Sequence, residues 1–242
     1  MNQTRFSVAT VDGAMETRLV RPAGPPRAAI LFFMDALGVR PALEAMAARL
    51  AASGYAVLLP DLYYRHHADP IDVAAAFAGG PEQERMMRYY ASLRPSMVTA
   101  DIAALLADPA AGLGDHAIGS VGYCMGGAFS LATAGQFPDR VRAAASIHGG
   151  GLSTGAEDSP DLAIATTRAR LYLGIAGIDP YFPADMAGGL VAAACAQGAD
   201  LTAEIYAGVH HGFAVADTPV FDAVASDRHW RRLETLFAET LP

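Results

Sequence analysis

The hydrophobic positions of the 242-residue chain follow two rhythms. Near the start, FSVAT and METRLV alternate apolar and polar residues, which predicts a leading antiparallel pair of strands. Ala28 to Met34 (AAILFFM) is apolar without interruption, as expected of a strand buried on both faces. Helical spacing follows through ALEAMAARLAAS, with Pro41 suited to a first turn and Gly54 marking the stop. The pattern then repeats. YAVLLP reads as a strand, and Pro81 to Leu106 as helical sequence broken at Pro95. HAIGSVGY reads as a strand and GGAFSLATAG as a helix, followed by the strands VRAAASIHG and ARLYLGIAG. ADMAGGLVAAACAQG is a helix, LTAEIYAG the last strand, and a helix from Pro219 to Glu239 closes the chain. Strands alternating with helices predict an α/β fold: a mostly parallel sheet with helices on both faces, in one domain over residues 1–242.

Composition supports that reading and removes several functions. Hydrophobic residues make up 52% and charged residues 17%, enough for a large core and too apolar for disorder. The net charge is −8 with no basic stripe, so nucleic acid is not an expected partner. No apolar run approaches the ~18 residues that span a bilayer. The opening MNQTRFSVAT has no basic region, apolar stretch or cleavage site, so a cytoplasmic protein with no membrane partner is expected. The two cysteines, Cys124 and Cys195, are far apart and form no C-x-x-C, consistent with a reducing compartment. Cys195 lies in an apolar helical stretch and reads as core. A monomer or small homo-oligomer is expected.

In parallel sheets, ligands sit beyond the carboxyl ends of the strands. That directs attention to Asp35, Asp61 to His67, Cys124, His148, Asp179 and His211. Gly122-Tyr123-Cys124-Met125-Gly126 joins a strand to a helix and has the G-x-S-x-G form of a nucleophile elbow, with sulfur for oxygen. The sharp turn needs small residues two positions either side, and the following helix N-terminus favours negative charge on the sulfur. Taken alone, Cys124 also fits a small buried hydrophobe. A phosphate-binding turn fits less well, because neither G-x-G-x-x-G nor a Lys-Ser/Thr ending is present. Asp179, after LYLGIAG, and His211, after LTAEIY, complete the order nucleophile, acid, histidine that the α/β-hydrolase fold requires. His211 would shuttle the proton and Asp179 would orient it. Adjacent His66 and His67 point differently and lack a suitably spaced carboxylate, so no metal is expected.

GYCMGG, PDLYYR at Pro60 to Arg65, the Asp179-Pro180 dipeptide and HGF at His211 together resemble the dienelactone hydrolase family. The resemblance runs from about Ile30 to the last helix. It implies a cofactor-independent α/β-hydrolase with a Cys-His-Asp triad, acting on small-molecule esters or lactones in the manner of carboxymethylenebutenolidase. It further implies that Ala36 and Met125 supply the oxyanion-hole N–H groups. Asp35 falls where the family has a glutamate that contacts the resting cysteine. Val215 falls where dienelactone-cleaving members carry an arginine that holds the substrate carboxylate, so Arg85, Arg88 or Arg65 would have to take that part. Tyr63, Tyr64, Tyr123 and Phe213 are further candidates to line the pocket, with His148 on its border and His210 beside the base. The rival readings are a non-catalytic small-molecule binding protein of the same fold and a thiol-redox protein using Cys124 and Cys195.

Overall fold

The computed structural model describes residues 2–66, 69–114 and 116–241. Among these residues, eight strands form one sheet in the order β1-β2-β4-β3-β5-β6-β7-β8. β1 (Asn2–Thr10) and β2 (Gly13–Arg21) pair antiparallel, and β2 also runs antiparallel to β4 (Ala56–Pro60). The rest is parallel: β3 (Ala29–Phe33), β5 (Ile118–Tyr123), β6 (Val141–Ile147), β7 (Arg170–Ile178) and β8 (Leu201–His210). Every residue of β3, β4 and β5 is buried, which explains why β3 and β4 carry only apolar side chains.

The helices are α1 (Pro41–Ala52), α2 (Val73–Ala78), α3 (Pro81–Ser92), α4 (Pro95–Ala107), α5 (Met125–Gln136), α6 (Ala184–Gln197) and α7 (Ala223–Thr240). Neighbouring residues of β5 show that they cover both faces. Ser120 hydrogen-bonds Ser130 of α5, whereas a Cβ at Gly119 would lie 2.8 Å from Leu241, just past the end of α7. α7 meets α1 on that same face, with Arg49 stacked 4.4 Å over the Trp230 ring. The helical stretch from Pro81 does divide at Pro95, because a proline cannot continue the hydrogen-bond ladder.

Two local readings need correction. VAAAFA forms a short helix that the spacing did not reveal; Asp72 caps it by accepting from the Ala75 N–H. Cys195 is exposed, not core. The helix that carries it buries only Ala187, Leu190 and Ala194, because it packs at the outer end of the sheet beside β8.

Candidate active site

β5 delivers Cys124 into a backbone conformation that side chains rarely adopt, φ 55° and ψ −121°. Such a position costs on the order of 1–3 kcal/mol and persists only where its surroundings hold it. Here the Cys124 N–H lies 3.1 Å from the Ile147 carbonyl and 3.2 Å from His148 Nδ1, and the Cys124 carbonyl accepts from Gly127 and Gly150. The flanking glycines are sterically required. A Cβ on Gly122 would run into the Gly126 carbonyl, and one on Gly126 would lie 2.5 Å from the Phe33 carbonyl oxygen.

Beyond β7, Asp179 is held by two backbone N–H groups, Tyr181 at 2.9 Å and Phe182 at 3.2 Å. Its other oxygen accepts from His211 Nδ1 at 2.9 Å. His211 follows β8, and its backbone N–H bonds the Ile178 carbonyl. Burial opposes charge on this imidazole, but the Cys124 sulfur and the Asp179 hydrogen bond outweigh it and push the pKa up to about 10. The Nε2 atom is enclosed and makes no well-formed hydrogen bond within the protein. Its neighbour His148 also carries a positive φ (38°) and is driven well below the ordinary histidine range by burial, then by His211 and His229. Because His148 Nδ1 accepts the Cys124 N–H, this ring is the uncharged tautomer with its proton on Nε2.

The loop after β3 supplies the opposite wall. Asp35 accepts from the Leu37 N–H, and the Asp35 carbonyl accepts from Gly38, so Asp35 to Gly38 form a tight turn. Tyr63 donates its hydroxyl to the Ala36 carbonyl at 3.0 Å and sits 3.5 Å from the Met125 sulfur, bracing the two expected oxyanion residues together. Among the described residues, neither the Ala36 nor the Met125 N–H is engaged by another protein group. Both Asp35 oxygens are taken by Arg40, at 2.6 and 3.0 Å, and no hydrogen bond joins Asp35 to Cys124. Arg40 in turn grips both oxygens of Asp217, at 2.7 and 2.9 Å, in the loop that follows His211. Its own burial disfavours charge, but Asp35 and Asp217 hold its pKa above the usual arginine value.

These groups surround a cavity of about 300 Å³ that Asp35, Ala36, Cys124, Met125, His148 and His211 all line, with His210 also on its wall. Seven other expected contacts, Tyr63, Tyr64, Tyr123, Phe213, Arg65, Arg85 and Arg88, do not line it. Tyr123 is fully buried and pairs with His229, and Phe213 is buried against the Tyr206 ring. Arg85 ties Glu82 to the carbonyls of Asp69 and Pro70, and Arg88 is exposed. Arg65 makes a bidentate pair with the buried Asp101, to which Tyr64 also donates. His66 stacks on Tyr89 and bonds Ser92; His67 lies outside the described residues. Sequence reading missed Arg40, Asp217 and the cavity face of α3, which presents Gln83, Met86, Met87 and Tyr90. The spacing 83, 86, 87, 90 was the available signal. At about 100° per residue it puts Arg85 and Arg88 on other faces of the same helix.

The chain matches the model of the dienelactone hydrolase family over residues 15–241, and it belongs to that family. A carboxymethylenebutenolidase of Rhodococcus opacus is 28% identical over 114 residues, an alignment that spans 47% of this chain and 41% of that protein. An Escherichia coli O157:H7 protein provisionally named a carboxymethylenebutenolidase is 26% identical over 219 residues, covering 88% of this chain and 78% of that one. The crystal structure of a Klebsiella pneumoniae protein, provisionally named a dienelactone hydrolase, superposes with a TM-score of 0.82 at 20% identity and covers 98% of both chains. That likeness shows the α/β-hydrolase fold.

Proposed function

We propose that the protein hydrolyses carboxylic esters or lactones through Cys124. The observation that carries this reading is the placement of His211. Asp179 binds one ring nitrogen at 2.9 Å, which leaves the other, Nε2, without a protein hydrogen bond in the cavity that Cys124 also lines. Cys124 Sγ attacks the carbonyl carbon, and the oxygen takes the negative charge beside the Ala36 and Met125 N–H groups. Collapse of that intermediate breaks the C–O bond, and His211 gives its Nε2 proton to the leaving alkoxide. His211 then draws a proton from water, which attacks the thioester and releases the acid and the thiolate. Asp179 holds the imidazole in register throughout. Asp35 serves the oxyanion loop in this scheme rather than the sulfur, because Arg40 occupies its carboxylate. Both cysteines are free, which supports thiol chemistry in a reducing cytoplasm. No helix among the described residues is long and apolar enough to cross a membrane.

Hydrolysis of p-nitrophenyl acetate by the Cys124→Ala variant is the test. The proposal expects a loss of at least a hundredfold with the fold retained; full activity in that variant would overturn it.

A further inference from the structure

Resting on that reading, we infer that the site accepts uncharged esters or lactones with an apolar acyl group and rejects substrates that carry a carboxylate. Three observations converge on this. The first concerns the mouth of the cavity. Of the ten large hydrophobic side chains that are exposed among the described residues, four (Phe77, Met87, Ile178 and Tyr181) line this one cavity. Apolar side chains gathered at a concave site mark a surface that a ligand covers. Met86 and Val220 continue that surface inward.

The second is the absence of a cation for an anion to meet. The sequence has no lysine, so every permanent positive side chain is one of its 17 arginines. None lines the cavity among the described residues. Arg40 lies directly behind the wall, but it is only 7% exposed, and its donors go to Asp35, Asp217 and the Gly38 carbonyl. A guanidinium already shared between two carboxylates has no fork left for a third. Val215, where a family arginine would hold a substrate carboxylate, is completely buried.

The third is the sign of the local charge. Three carboxylates, Asp35, Asp179 and Asp217, face one guanidinium and one imidazole, which leaves the site net negative. A carboxylate entering it would lose hydration, find no guanidinium to pair with and meet like charge. An alkyl chain would gain from the apolar wall, at roughly three- to fourfold in kcat/KM for each methylene buried.

The experiment compares three p-nitrophenyl esters on the intact protein: butyrate, hexanoate and the half-ester of adipic acid, whose acyl chain matches hexanoate but ends in a carboxylate. The inference expects kcat/KM to rise from butyrate to hexanoate and to fall at least tenfold from hexanoate to the half-ester. Met87→Arg, which places a cation at the exposed rim, should raise the half-ester at least fivefold while lowering hexanoate. A half-ester cleaved as well as hexanoate, or a ratio that Met87→Arg leaves unchanged, would overturn the inference while the hydrolase reading stands. Failure to cleave any of the three would instead overturn the hydrolase reading. Protection of Cys124 from iodoacetamide then decides the inference: 2-octanone should protect and 6-oxoheptanoate should not. Equal protection by both would defeat it.

Discussion

Arg40 holds both carboxylate oxygens of Asp35, at 2.6 and 3.0 Å, and thereby locks the residue next to Ala36. The same guanidinium binds Asp217, so one side chain spans the loop before α1 and the loop after His211. Arg40→Gln leaves Asp35 buried without its partner, which costs about 3–5 kcal/mol. Urea unfolding should show that loss. Asp217→Asn should cost less, because Asp217 is partly exposed and Asp35 keeps its pair. Equal losses in the two variants would contradict this division.

Asp35→Asn separates support of the loop from activation of the sulfur. Because the carboxylate is spent on Arg40, the pH dependence of Cys124 alkylation by iodoacetamide should match that of the unaltered protein. A clear displacement of that profile would make Asp35 the group that activates the cysteine.

The raised pKa of His211 sets an alkaline limit. The protonated ring, needed to protonate the leaving group, persists in the free protein until its pKa of about 10, so kcat/KM should hold through the neutral range and fall above about pH 10. The stability consequence has the same sign. The folded pKa lies above the ordinary 6.5, so the stabilisation is complete below about pH 6.5 and is lost as pH rises through about 10. A kcat/KM that already falls near pH 7 would contradict the raised pKa of His211.

Tyr63 gives a test of the oxyanion loop with little risk to the fold. Tyr63→Phe keeps the ring and removes the hydroxyl that bonds the Ala36 carbonyl. Losing one buried hydrogen bond costs about 1 kcal/mol. The cost should appear as a several-fold fall in kcat with KM nearly unchanged, since the loop is needed most in the transition state. A rise in KM alone would place Tyr63 in substrate binding instead.

The elbow was legible because steric demands at Gly122 and Gly126 restrict the residue type, and such demands show in a sequence. The positions of Asp179 and His211 were legible because each follows a strand of the parallel sheet and so arrives at the same sheet edge as Cys124. The Arg40–Asp217 contact joins residues 177 positions apart and leaves no local pattern. The charge of Arg85 and Arg88 suggests a substrate contact, whereas the turn of α3 decides what reaches the cavity, and it presents methionines and a tyrosine there. Cys195 misled for a related reason: small apolar residues make a helix look buried, but α6 has only one packed side.

The most direct test of the account is the mass of the protein trapped during turnover. His211→Ala removes the base that activates water, so rapid acid quenching after mixing with p-nitrophenyl butyrate should catch a butyryl group on the peptide containing Cys124, labile to hydroxylamine as a thioester is. The account predicts that adduct on Cys124, with no adduct in a Cys124→Ala/His211→Ala protein. Butyryl transfer to another residue, or unimpaired ester hydrolysis by the double variant, would contradict it.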